Sequence, residues 1–132
     1  MARAAGIPTV VDVEKVRDGT HDPGRALAAV AAEYHAPLVA VTRGEEGSLA
    51  LCGGREVRTP AFRVTCVDST GAGDAFHGGF VAACLRNPNG EVEDVLTYAN
   101  AVAALNCRAL GARGGLPTPA VVDAMLLSGP RS

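Results

Sequence analysis

Four consecutive residues, Gly71-Ala72-Gly73-Asp74, carry the clearest chemistry in the chain. An apolar run, Val64 to Val67, precedes them, and Phe76, Phe80, Ala83 and Cys84 follow at helical spacing. An extended segment, a turn of small residues and a helix together build an anion site. Glycine lets the backbone approach a ligand closely, and the first free N–H groups of the helix point at it. A carboxylate in that place should repel an anion, so Asp74 needs an explanation. It can be an acidic first-turn residue favoured by the helix dipole. It can also be a base that takes a proton from a hydroxyl attacking the anion. Phosphoryl transfer needs such a base together with fixed donors for the transferred group. His77, one turn further on, is the weaker candidate base because it lies deeper in the helix, away from the free N–H groups. Other glycine motifs fit worse. A dinucleotide fingerprint wants a third glycine where Phe76 stands, and a Walker A loop wants a lysine that this stretch lacks.

The elements that must position these residues are legible on either side. Ile7 to Val13 reads as a buried parallel strand with Asp12 near its end, and Asp12 is more simply a solvated strand-end carboxylate than a functional one. Asp22 is an N-cap with Pro23 at N1, and Leu27, Val30, Ala31 and Tyr34 mark one face of a helix ending near His35. Leu38 to Thr42 is a second buried strand, which completes a right-handed βαβ unit. Arg43-Gly44-Glu45-Glu46-Gly47 is then the loop at the C-terminal edge of the sheet, where ligands of open α/β sheets gather. Arg43 is either a phosphate contact or a solvated arginine. Ser48 to Cys52 and Arg55 to Thr59 flank Gly53-Gly54, a two-residue hairpin signal. Glu91, Glu93 and Asp94 load the first turn of a long helix whose inner face is Val92, Val95, Leu96, Ala99, Val102, Ala103 and Asn106. Asn106 interrupts an apolar stripe, so it hydrogen-bonds in place or lines a cavity. Gly111 suits the left-handed position after that helix. Thr118-Pro119 begins a last helix with Val122, Met125 and Leu126 inward, stopped by Gly129-Pro130.

Composition narrows the function classes. A chain of 132 residues is read as one domain, 1–132. Its aromatic content of 4% puts the core on Ala, Val and Leu. A formal net charge of −2 with no Lys/Arg cluster argues against nucleic-acid and anionic-membrane partners. No apolar run reaches the length of a membrane span, and the first residues lack the apolar core of a signal peptide, so a cytoplasmic location is expected. Cys52, Cys66, Cys84 and Cys107 are widely spaced without a Cys-x-x-Cys pair, and are expected to be small buried thiols rather than zinc ligands or a disulfide framework.

Asp68-Ser69-Thr70-Gly71-Ala72-Gly73-Asp74-Ala75-Phe76 resembles the C-terminal signature of the ribokinase-like (PfkB) carbohydrate kinases, roughly Asp-Thr-x-Gly-Ala-Gly-Asp-x-Phe. Val41-Thr42-Arg43-Gly44-Glu45-Glu46-Gly47 is similar to the family's Val-Thr-x-Gly-x-x-Gly nucleotide loop, and Tyr98-Ala99-Asn100-Ala101 with Gly111 to Pro117 forms a third matching block. The blocks stand in family order and cover only the C-terminal part of the family's usual length. The resemblance implies a truncated α/β, ribokinase-like, three-layer α/β/α fold with a mostly parallel sheet. It implies an ATP-dependent kinase that phosphorylates a sugar hydroxyl, with Mg2+ and, in many members, K+. Asp74 would be the general base, and Gly71, Ala72 and Gly73 the anion hole. Thr42, Gly44 and Gly47 would border the nucleotide, with Asn100 near its base. Asp68 and Thr70 match cation-binding positions, and Gly111 lies in the segment that would complete the cation loop.

The chain also departs from the pattern. The family's N-terminal half, with most sugar contacts, a glycine pair and a β lid, is missing. So is the Asn-x-x-Glu motif expected between the strand at Val13 and the helix at Asp22. The alternative expectation is therefore a non-catalytic nucleotide-binding remnant, inactive without that half. Open sheet edges and uncovered apolar faces also predict association of the isolated chain, a homodimer being the simplest form.

Overall fold

The fold grows from β2 (Leu38–Thr42), whose apolar, β-branched residues are buried from Leu38 to Val41. A computed structural model describes residues 9–12, by backbone alone, and residues 22–131. Ile7, Pro8, Val13 and the turn expected from Val16 to His21 lie outside these. In chain order the remaining elements are β1 (Thr9–Asp12), α1 (Pro23–Tyr34), a one-turn 3-10 helix (Gly44–Glu46), β3 (Ser48–Cys52), β4 (Arg55–Thr59), α2 (Ala72–Arg86), α3 (Val92–Asn106) and α4 (Pro119–Ser128).

The sheet order is β1-β2-β3-β4. β1 runs parallel to β2, with Asp12 in register with Thr42. β2–β3 and β3–β4 are antiparallel, the latter closing at Cys52 and Arg55 around Gly53-Gly54. The expected mostly parallel sheet is thus reduced, among the described residues, to one parallel pairing. The physical reason is connectivity. Only a crossover connection returns the chain parallel, and among the described residues α1 is the helix between the parallel pair β1 and β2. The remaining strands follow through tight turns.

Side-chain alternation on β2 divides the core into two layers. Val39 and Val41 pack with Leu49 of β3 and with Leu27 and Val30 of α1. Leu38 and Ala40 face the other way, with Ala50, Val57 and the apolar faces of α2 and α3. Helices therefore cover both sheet faces, which is the expected α/β/α layering. α1 begins as read from the sequence: the Asp22 carboxylate accepts from the Gly24 N–H, and the helix ends at His35 in a left-handed conformation.

α3 is more deeply placed than its sequence suggests. Besides its expected stripe, Tyr98, Asn100, Ala101, Ala104 and Leu105 are buried, because the helix lies between the sheet, α2 and α4 rather than on a surface. Gly79 permits the close α2–α3 approach, since a Cβ there would stand 2.9 Å from Val102 Cβ. Three further expectations are corrected. α3 stops at Asn106 with Cys107 as its cap, so Gly111, at φ 88°, sits in the following loop and does not terminate the helix. Leu126 is exposed and leaves the inner face of α4 to Val122 and Met125. Cys66 is exposed, because the segment before Gly71 runs along the surface, and the other three thiols are only partly buried. That segment, Val64 to Val67, joins no sheet. Its backbone is held at Cys107, whose carbonyl accepts the Val67 and Asp68 N–H groups at 2.8 and 3.1 Å.

Candidate functional site

Two backbone turns face each other across one cavity. The first follows β2. Gly44 (φ 57°) and Gly47 (φ 93°) let the chain fold back through the 3-10 turn, closed by the Arg43 N–H to the Gly47 carbonyl at 2.8 Å. The second is Gly71, left-handed at φ 77° and leading directly into α2. In both places a side chain is excluded. A Cβ on Gly47 would lie 2.0 Å from the Thr59 carbonyl oxygen, and one on Gly71 would lie 2.5 Å from that of Ala112. Gly44 differs, having nothing within 4 Å of the same position.

Between the turns lies a cavity of about 590 Å³, whose wall includes Thr42, Gly44, Gly47, Asn100, Ala72 and Gly73. That is the size range of small-molecule sites. The structure thus brings together all four residues expected at the nucleotide with two of the three expected at the anion hole. Gly71 turns the chain into α2, and Asp74 lies exposed in its first turn. The Ala72 N–H is taken by Ser69 and the Ala75 N–H by Gly71. Among the described residues, the Gly73 and Asp74 N–H groups have no acceptor, so two donors and the positive helix end meet where the carboxylate begins.

The expected cation residues also converge. The Asp68 carboxylate accepts from the Thr70 N–H through one oxygen and from the Gly111 N–H through the other, each at 2.9 Å. The Thr70 side chain, then the Thr70 and Gly111 N–H groups, hold this carboxyl below the usual carboxylate range. Asn106 secures the same loop, donating to the Ala112 carbonyl at 2.9 Å, so of its two expected roles the hydrogen-bonding one is observed. Asn100 is anchored as well, with its amide 3.3 Å from the Thr59 and Pro60 carbonyls. Arg43 is engaged with Glu46. Among the described residues there is no cluster of three or more His, Cys, Asp or Glu side chains fit to hold a metal by itself. The donors available at Asp68 are hard oxygens, the chemistry suited to an alkali cation or to a Mg2+ brought in on phosphates.

Sequence reasoning missed part of the wall. Ser69, Phe76, Cys66 and Cys107 also line the cavity. No motif marks the two cysteines, and only the packing of the 66–68 segment on the end of α3 brings them there.

The site thus sits in a layered α/β/α domain, with a glycine turn at a helix N-terminus beside a ligand-sized cavity. Its kinship is narrower than that. Residues 11–119 match the pfkB family carbohydrate kinase, and the chain belongs to that family. It is 36% identical to the ribokinase of Bacillus subtilis over 104 residues, covering 79% of this chain and 34% of the relative. A Vibrio cholerae fructokinase structure holding fructose, ADP and calcium superposes with TM-score 0.78 and 31% identity, over 94% of this chain and 42% of that one. The aminoimidazole riboside kinase of Salmonella enterica, bound to that riboside and an ATP analogue, gives TM-score 0.81 at 26% identity, over 96% and 45%. The chain therefore spans less than half the length of these relatives.

Proposed function

We propose that this chain is the nucleotide-binding half of an ATP-dependent kinase acting on a sugar hydroxyl. The observation carrying this reading is the single cavity joining Thr42, Gly44, Gly47 and Asn100 to Ala72 and Gly73. ATP would lie along it, its base towards Asn100 and its terminal phosphate at the first turn of α2. The Gly73 and Asp74 N–H groups would stabilise the charge on the transferred phosphoryl group, with Gly71 and Ala72 shaping the hole. Asp74 would take the proton of the attacking hydroxyl, which its exposure at the mouth of that turn permits. Mg2+ would enter with the ATP phosphates and neutralise their charge. K+ would be held near Asp68, Thr70 and Gly111, steadying the loop behind Gly71. That a related fructokinase structure holds ADP with potassium supports this cation assignment.

A second reading is a nucleotide-binding remnant: residues 1–132 would bind nucleotide, and phosphoryl transfer would need the part of the relatives' length that they do not span. Isothermal titration with ATP and Mg2+, with and without K+, separates the readings when paired with a phosphoryl-transfer assay on ribose and fructose. Saturable binding with turnover that falls roughly 10²–10⁴-fold in Asp74→Asn supports the kinase. Binding without turnover supports the remnant. No binding by a folded chain defeats both.

A further inference from the structure

Cys66 and Cys107 are distant in sequence and neighbours in the fold. The Cys107 carbonyl accepts both the Val67 and the Asp68 N–H groups, which fixes residue 66 directly beside residue 107. Burial first, and then the neighbouring Cys66, pushes the Cys107 thiol up. Both are free, Cys66 exposed and Cys107 partly buried, and both line the cavity wall. Cys52 and Cys84, in contrast, pack against the apolar core. The segment carrying Cys66 belongs to no helix or strand. It can therefore adjust to bring the two sulfurs to a bond of about 2.05 Å.

We propose that Cys66 and Cys107 form a reversible disulfide in the cavity wall, with a peroxide as oxidant. The Cys66 sulfur attacks one oxygen of hydrogen peroxide. The O–O bond breaks, Cys66 becomes a sulfenic acid, and the thiol proton leaves in water. The Cys107 sulfur then attacks the sulfenic sulfur. The S–S bond forms, the S–O bond breaks, and a second water carries off the second thiol proton. Two thiols have given two electrons to one peroxide. A small-molecule dithiol reverses the bond by exchange. The cross-link shortens the unfolded chain's reach, so the oxidised chain melts roughly 10 °C higher.

The test is a disulfide map of the folded 132-residue chain after mild peroxide treatment and alkylation. Trypsin cuts after Arg63, Arg86 and Arg108, which puts Cys66 on peptide 64–86 and Cys107 on peptide 87–108. Cys84 shares the first peptide, so the Cys84→Ser chain is mapped in parallel. The expected result is one cross-link between these peptides, retained in Cys84→Ser, lost in Cys66→Ser, reversed by dithiothreitol and accompanied by a mass loss of about 2 Da. Chain denatured in urea before oxidation should give mixed pairings instead. The inference is overturned if the folded chain joins Cys107 to Cys84, forms only intermolecular disulfides, oxidises Cys66 to the sulfinic acid without a cross-link, or keeps all four thiols. The map needs no nucleotide, so its outcome is independent of the kinase reading.

Discussion

The two ends of the cavity use the same residue types and are held in different ways. At the Gly44–Gly47 end the supports are local. Gly47 packs on Thr59 and Ala61, the exit of the β3–β4 hairpin that begins one residue later. At the Gly71–Asp74 end the supports are remote. Gly71 packs on Ala112, and Asp68 is tied to Gly111, 43 residues away in sequence. Asn106 in turn holds Ala112. A binding end closed within one hairpin forms with that hairpin. One closed through a distant loop exists only when α3 and that loop are in place. The Gly71–Asp74 end of the cavity should accordingly be the more easily loosened of the two.

Substitutions at the glycines test this contrast most strongly. Gly47→Ala meets backbone at 2.0 Å from a left-handed conformation, and neither strain nor overlap can be relieved by a side-chain shift. A loss of about 3 kcal/mol or more is expected in urea unfolding. Gly71→Ala, against the Ala112 carbonyl, should cost about 2–3 kcal/mol, and here the loop can yield. Equal losses at the two sites would remove the distinction. Next in size is Asn106→Ala, which frees the Ala112 carbonyl and should cost about 1–2 kcal/mol. It sharpens the comparison through hydrogen exchange. Faster exchange at Gly111, Gly114 and Ala75, with no change at Gly47, is expected, whereas uniform acceleration would show a single cooperative unit. Gly44→Ala has open space around its Cβ and carries only conformational strain, about 1 kcal/mol. Its main effect should be on ATP affinity, measured by the same titration.

The smallest effect is a dependence on pH. Asp68 has its folded pKa lowered, first by the Thr70 side chain and then by the backbone donors. Its contribution to stability is therefore fully present above the unfolded carboxylate's pKa near 4, and is lost as pH falls through the lower folded value. The melting temperature of Asp68→Asn should lie below that of the parent at pH 7, and the gap should narrow below pH 4. A gap that stays constant to pH 2 would show that the carboxylate's charge is not what holds the Gly111 loop.

The apolar surface left outside these two ends bears on association. Leu85 and Val81 on α2, Leu110 in the following loop and Leu127 on α4 are all exposed. Val81 and Leu85 share one face of α2, and Leu110 and Leu127 lie on two other elements. Sedimentation of the isolated chain at several concentrations would show whether they drive self-association.

Local order fixed what the sequence could show by itself. Asp22-Pro23 starts a helix because a capping carboxylate and a preset φ act within one turn, and Gly53-Gly54 closes a hairpin because left-handed residues are needed there. The three family blocks are likewise continuous runs, so kinship and part of the cavity wall, Thr42, Gly44, Gly47, Asn100, Ala72 and Gly73, are readable directly. What needed the tertiary structure depends on residues far apart in the chain. α3 is buried nearly all round because sheet, α2 and α4 converge on it, and its own periodicity records only one of those contacts. Gly111 reads as a helix end and serves as a donor to Asp68. Cys66 and Cys107 have no spacing that would pair them, and come together because the run before Gly71 joins no sheet and hydrogen-bonds to the end of α3. Periodicity and capping report forces acting across one or two turns. Enclosure and the closing of a cavity come from contacts that only the folded chain brings together.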